Sequence, residues 1–244
     1  MTNPAGSRSF LWLNVAQFLG ALNDNVFKFL IIFLLAAVIG EDHRTAIVTT
    51  ASTVFVLPFL LFSHAGGVLA DRFSKRNIIV FLKVLEVLIM TVGCVAVYYR
   101  SPWGLYTVLF ILCTHSAFFG PSKYGIVPEL VPTERLSRAN AALEGLTYLA
   151  IILGTFIPTF FLLTIFPNNY LALATLTVGV AAAGLLAGSR ILKTPAAGAV
   201  RHFSPLFIVD IFRTLRFAHR DRDLFTAIIG SAYFLFLGAF IQQT

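Results

Sequence analysis

FLWLNVAQFLGALNDNVFKFLIIFLLAAVI, residues 10–39, decides the fold. Its only charges are Asp24 and Lys28, and its apolar side chains fall on every helical face rather than along one stripe. A hydrocarbon core about 30 Å thick needs about 20 mainly apolar residues, at about 1.5 Å of helix rise each. The segment is therefore long enough to cross a bilayer. It is too long for the apolar region of a signal peptide and shows no small-residue cleavage pattern before polar sequence, so Arg8 flanks a retained helix.

Working outward, six more segments qualify: 46–70, 78–99, 104–127, 142–166, 170–189 and 224–241. Composition agrees, with 58% hydrophobic and 12% charged residues against about a quarter charged in soluble domains. Hydrocarbon offers no partner to an open backbone group, and nothing has the short alternating pattern of a barrel strand. The fold class is an all-α membrane protein. Cys94 and Cys113 fall inside spans, without the spacing of a metal site or an oxidised scaffold, and read as small buried side chains. No cofactor is expected.

Excess Lys and Arg on one set of loops mark the cytoplasmic side. One set holds Arg8, the cluster Arg72, Lys75 and Arg76, then Lys123, Arg135, Arg138 and every cation from Arg190 to Arg222. The other holds Arg44 and Arg100, while Lys28 and Lys83 lie inside spans. The amino terminus is expected in the cytoplasm. The net charge of +7 then reflects topology and anionic inner-leaflet lipid rather than nucleic acid, for which no recognition motif is present.

Between the second and third spans stands Gly67-Val68-Leu69-Ala70-Asp71-Arg72-Phe73-Ser74-Lys75-Arg76. Gly66 and Gly67 suit close helix approach, Asp71 suits a neighbouring helix end, and the three cations suit a tight cytoplasmic turn. The segment resembles the major facilitator superfamily loop G-x-L-x-D-R-x-x-x-R, with Ser74 where glycine is usual. That resemblance implies a gating role for Gly67, Asp71, Arg72 and Arg76. It also implies a major facilitator-type helical bundle: six N-terminal transmembrane helices over 1–190, a cytoplasmic linker over 191–223, and a seventh helix over 224–244 opening a second half. The linker begins rich in Pro, Ala and Gly; from Phe203 the helical spacing of Phe207, Ile208, Ile211, Phe212 and Leu215 predicts a basic amphipathic helix. With Gln242, Gln243 and Thr244 following the seventh span, a truncated chain lacking five helices is expected.

Asn23-Asp24-Asn25 sits mid-span, with Lys28 a turn later. A charge at the bilayer centre costs about 2.5 to 3.5 kcal/mol on insertion scales, so a reason for its presence is needed. An i, i+4 ion pair of Asp24 with Lys28, a polar cavity for substrate or ion, and a water-filled interior all remain open; the two flanking asparagines favour the cavity. The fourth span ends Phe118-Phe119-Gly120-Pro121-Ser122-Lys123-Tyr124-Gly125, where Gly120 and Pro121 predict a break or kink. Lys123 then lies at the inner edge of the hydrocarbon or snorkels to the interface. With three-helix inverted repeats, spans one and four are equivalent, and polar interruptions in corresponding helices point to a central site. Lys83 and Glu86 read as a structural i, i+3 pair, Glu144 as partner to a nearby cation, and Lys28 with Glu144 as members of a polar network. His64 and His115 have no identifiable relay partner and read as structural.

Three stretches carry a narrower resemblance: Gln17-Phe18-Leu19-Gly20-Ala21-Leu22-Asn23-Asp24-Asn25, Phe119-Gly120-Pro121-Ser122-Lys123-Tyr124-Gly125-Ile126 and Arg138-Ala139-Asn140-Ala141-Ala142-Leu143-Glu144. Together with Phe236-Leu237-Gly238-Ala239-Phe240, they resemble the bacterial lysophospholipid transporter family. The resemblance implies a multi-pass inner-membrane flippase that returns lysophosphatidylethanolamine to the inner leaflet. Asp24 and Lys123 match its headgroup positions, and Asn23 and Asn25 flank them. Membrane lipid, an acyltransferase and an acyl-carrier-protein synthetase are the implied partners. Two rivals are a major facilitator transporter of another small solute and a membrane anchor for a fused acyltransferase. Against the enzyme, the acyltransferase signature H-x-x-x-x-D fails at all five histidines, and no P-loop supports ATP-driven transport.

Overall fold

Helix α1 (Pro4–Ile39) stops at Gly40, whose φ of 114° breaks the helical path. It is followed by α2 (Arg44–Arg72), α3 (Lys75–Tyr98), α4 (Pro102–Gly125), the single turn α5 (Val127–Leu130), α6 (Leu136–Phe160) and α7 (Tyr170–Ser189). A π-helical turn, Phe161–Ile165, extends α6. The computed structural model describes residues 4–196 continuously and, beyond them, isolated positions between 216 and 233. Among these residues six helices, α1, α2, α3, α4, α6 and α7, are long and apolar enough to cross a membrane. They overlap the first six expected spans, and α7 has the expected bounds.

Local chemistry sets the turns. Ser74 caps α3 by accepting from the Asn77 amide at 3.5 Å, and Ser101 caps α4 by accepting from Gly104 at 3.2 Å. Pro102 occupies the first turn of α4, where no donor is lost. Asn168 adopts φ 56°, which asparagine tolerates, and Asn169 caps α7 by accepting from Ala172 at 3.0 Å.

The break expected at Gly120-Pro121 does not occur: α4 runs through Pro121 to Gly125. Proline removes the donor that would meet the carbonyl one turn back, which belongs to Ala117. Gly66 of α2 packs over that place; a Cβ on Gly66 would lie 3.0 Å from the Ala117 oxygen and 3.4 Å from Pro121 Cγ. The released carbonyl is thus covered by close backbone approach. Gly67, expected to share this role, has nothing within 4 Å of its Cβ position.

α1 is apolar all round because its middle is enclosed, with Leu13, Phe27, Leu30, Ile31, Leu34 and Leu35 almost fully buried, while Leu11, Val38 and Ile39 toward its ends are exposed. It packs closely along α6 and α7, α2 packs on α4, and α1 meets α4 only sparsely. That looser α1–α4 seam holds the candidate site. α2 leaves Val56, Leu57, Leu60 and Leu61 exposed. Tyr98, Tyr99 and Trp103 are exposed at the α3–α4 turn, a placement typical of an interfacial aromatic belt.

The chain divides into two units, Met1–Arg201 and His202–Thr244. The amphipathic helix expected from Phe203 and most of the seventh span lie outside the described residues. At the described positions of the second unit, Thr226 donates to the Arg222 carbonyl at 2.8 Å and His219 meets Phe225 edge-on.

Candidate substrate site in the α1–α4 seam

Successive helical residues point about 100° apart, so Asn23, Asp24 and Asn25 cannot share a face. Asn23 turns to α3 and donates to Glu86 Oε1 at 3.3 Å. Asn25 donates to the Ala21 carbonyl of its own helix at 2.8 Å, and a Cβ on Gly154 of α6 would strike Asn25 Cβ at 2.6 Å. Only Asp24 faces α4, where the Ser116 hydroxyl donates to Oδ2 at 2.6 Å. The structure therefore does not bring the two asparagines to the site expected of them; they join α1 to α3 and α6.

α1 and α4 run antiparallel, so lower numbers on one lie beside higher numbers on the other. At the level of Gln17, the Lys123 ammonium donates to Gln17 Oε1 and to Thr147 Oγ1 of α6, both at 3.4 Å, and lies 4.8 Å from the Tyr124 ring centroid. Gln17 is held in turn by the Leu143 carbonyl at 3.3 Å and the Thr147 hydroxyl at 2.9 Å. Both Lys123 bonds are long, at 3.4 Å, and go to neutral oxygens, weaker than a short ammonium–carboxylate pair.

Asp24 is 8% exposed, and its Oδ1 has no hydrogen-bond partner among the described residues. The ion pair with Lys28 that the sequence allows is not formed. Lys28, 7% exposed, instead places Nζ 4.7 Å from the Phe55 ring centroid of α2 and 5.8 Å from that of Phe29. Lys123, Lys83 and Glu86 lie within electrostatic reach of Asp24. The seam thus carries an underused carboxylate and two cations that, among the described residues, have no carboxylate partner at ion-pair distance.

The Lys83–Glu86 pair forms as expected, at 2.6 Å and 1% and 0% exposed. Glu144 differs: it accepts from the Tyr124 hydroxyl and forms no ion pair among the described residues, although Lys123 feels its charge. His115 sits 2.8 Å through Nε2 from the Leu82 carbonyl and stacks on Phe119, a structural placement. In the turn between α2 and α3, Asp71 and Arg72 end α2, Lys75 pairs with Glu129 at 2.6 Å, and Arg76 donates to the Ser189 and Ile191 carbonyls at 3.0 and 3.2 Å. Ser74 adds a bond to the Thr194 carbonyl at 2.8 Å, so the turn between α2 and α3 is tied to the end of α7.

Ser116, Gln17, Thr147 and Phe55 were not singled out as site residues from the sequence. Helical periodicity carries a signal for two of them. Ser116 precedes Lys123 by seven residues and Gln17 precedes Asp24 by seven, so each shares a face with its charged neighbour. Thr147 and Phe55 required the packing of α6 and α2.

Comparison with known proteins agrees with this architecture. The family model for transmembrane secretion effectors matches residues 2–240. The chain is 34% identical over 149 residues to the lysophospholipid transporter LplT of Salmonella arizonae, covering 61% of this chain and 35% of that protein. It is 29% identical over 231 residues to LplT of Enterobacter sp. strain 638, covering 93% and 54%, and 33% identical over 150 residues to LplT of Citrobacter koseri, covering 61% and 35%. The chain thus spans about half or less of the length of these curated relatives. Six spanning helices and a family match running almost end to end place the chain in the transmembrane secretion effector family of the major facilitator superfamily.

Proposed function

We propose that the chain works in a lysophospholipid transporter of the bacterial inner membrane, moving lysophosphatidylethanolamine to the inner leaflet by alternating access. The amino terminus is cytoplasmic in this reading, and the product passes to an acyltransferase served by an acyl-carrier-protein synthetase. One observation carries the proposal: Asp24 and Lys123 face the same seam with opposite charge yet do not pair with each other. A zwitterionic headgroup complements that arrangement, its ammonium toward the free Oδ1 of Asp24 and its phosphate toward Lys123. Each charge then offsets the other's desolvation. The LplT relatives supply the substrate class.

The test is uptake of labelled lysophosphatidylethanolamine and lysophosphatidylcholine by spheroplasts, normalised to protein in the membrane. Asp24→Asn removes one partner of a desolvated charge pair, a change of about 2 to 5 kcal/mol, or about thirtyfold or more in affinity. Choline has no N–H to donate, so wild type favours ethanolamine and Asp24→Asn narrows the preference. Uptake by Asp24→Asn at the wild-type rate and affinity rules out this headgroup site; wild-type uptake of another solute in place of either lipid favours a different major facilitator substrate.

Orientation has its own check. Ser74 is buried and hydrogen-bonded, so a cysteine at exposed Asn77 is the better probe of that turn. Asn77→Cys reacts with an impermeant thiol reagent only from the cytoplasm, and Asp42→Cys only from outside. Reversed labelling inverts the topology.

A further inference from the structure

Lys28 is the charge in the seam that the headgroup reading does not use. It follows Asp24 by four residues and Gln17 by eleven, so all three occupy one face of α1. Across the antiparallel seam, Gln17 stands at the level of Lys123 and Asp24 at the level of Ser116. The next level pairs Lys28 with Cys113, which lies within its electrostatic reach. Along the seam the charges therefore alternate: Lys123, then Asp24, then Lys28.

Lys28 is 7% exposed, and among the described residues no carboxylate lies within ion-pair distance of it and no acceptor holds its ammonium. The Phe55 and Phe29 rings offer cation–π contact, which steadies the charge without neutralising it. A buried intramembrane cation lacking an anion calls for one from outside the described structure. The path supplies the reason. A phosphate moving along the seam must pass the like charge of Asp24. One cation, at Lys123, would leave half of that path repulsive, whereas a cation on each side holds the phosphate before and after the crossing.

Resting on the lysophospholipid reading, we infer that Lys28 is a second phosphate station, binding the headgroup phosphate at the end of the seam opposite Lys123. Its ligand chemistry is the phosphodiester common to lysophospholipids, whatever the alcohol attached. Lys28 and Asp24 thus differ in what they recognise: Asp24 reads the ammonium and Lys28 the phosphate.

The experiment measures equilibrium binding to the full chain in nanodiscs, for wild type, Lys28→Met, Lys28→Arg and Asp24→Asn. The probes are lysophosphatidylethanolamine, lysophosphatidylglycerol and a monoacylglycerol that lacks phosphate. Lys28→Met is expected to weaken both lysophospholipids about tenfold or more and to leave monoacylglycerol unchanged, with Lys28→Arg restoring most of the loss. Asp24→Asn is expected to weaken the ethanolamine lipid alone. Lys28→Met binding both lysophospholipids within about twofold of wild type overturns the inference. So does a loss that extends equally to monoacylglycerol and tracks a fall in thermal stability, since that marks Lys28 as structural. Wild-type protein that binds neither lysophospholipid removes the transport reading itself and this inference with it.

Discussion

Asn23 and Asp24 are neighbours on α1 and open onto two different kinds of buried charge. On the α3 side, both oxygens of Glu86 are engaged, one by Asn23 and one by Lys83, and the Lys83 ammonium also lies 5.1 Å from the Phe119 ring centroid. Gly20, Gly184 and Gly188 make room for the lysine; a Cβ on Gly20 would lie 2.6 Å from its Nζ. On the α4 side, one oxygen of Asp24 is held by Ser116 and the other has no partner among the described residues, while Lys123 and Lys28 rest on neutral oxygens or aromatic rings. The two ions of the first cluster pair with each other, and the atom left without a partner beside them is the neutral Asn23 Oδ1. The second is complementary to something with both charges. The two clusters lie at similar depth in the sequence of spans and differ in how far their ions pair with each other.

The strongest way to break that contrast is to remove half of the closed pair. Lys83→Ala strands a buried Glu86, and single removals of this kind cost about 3 to 5 kcal/mol. Replacing both, Lys83→Met with Glu86→Leu, is expected to recover most of the loss, because well-packed apolar side chains of similar volume match or exceed a buried ion pair. Asp24→Asn serves as the control: the amide can still accept from Ser116 and no partner ion is stranded, so the change is expected to stay within about 1 kcal/mol. Thermal unfolding of detergent-solubilised protein, read as the fraction surviving gel filtration, ranks the three. A double variant as unstable as Lys83→Ala, or an Asp24→Asn variant equally damaged, erases the distinction.

The fold was legible because lipid admits few solutions, so that long apolar runs have one reading. The Lys83–Glu86 pair was legible too, from its i, i+3 spacing at membrane depth. The site was legible only in part. Adjacency in sequence suggested that Asn23, Asp24 and Asn25 act together, whereas the helix directs them to three different neighbours. The i, i+4 spacing of Asp24 and Lys28 permitted a pair, but Phe55, which belongs to another helix, draws the ammonium away. Pro121 signalled a break because local rules do not include Gly66, which is distant in sequence on α2 and covers the released carbonyl. The first failure is the geometry of a single helix; in the other two a local rule is overridden by an inter-helix contact.

The same contrast between filled and open space recurs on α2 at Gly66 and Gly67, where the smallest effects are expected. A Cβ on Gly66 would come within 3.0 Å of the Ala117 oxygen and 3.1 Å of Phe118 Cα. Both atoms belong to the backbone of α4 and cannot move aside as a side-chain tip would, so Gly66→Ala is expected to cost about 1 to 3 kcal/mol, in the range of overpacked cores. Gly67→Ala meets nothing within 4 Å and gains helix propensity, a change of about 1 kcal/mol at most toward stability. Unfolding measurements on the two variants test the packing directly, and equal destabilisation would show that α2 does not approach α4 in this way. Transport by the same proteins addresses the gating role that the sequence motif implies for Gly67. A gating glycine needs its free space in another conformation, so Gly67→Ala should slow uptake without lowering stability. Wild-type uptake together with wild-type stability would show that the free space at Gly67 faces lipid or water throughout the cycle, and the gating assignment would then rest on Asp71, Arg72 and Arg76.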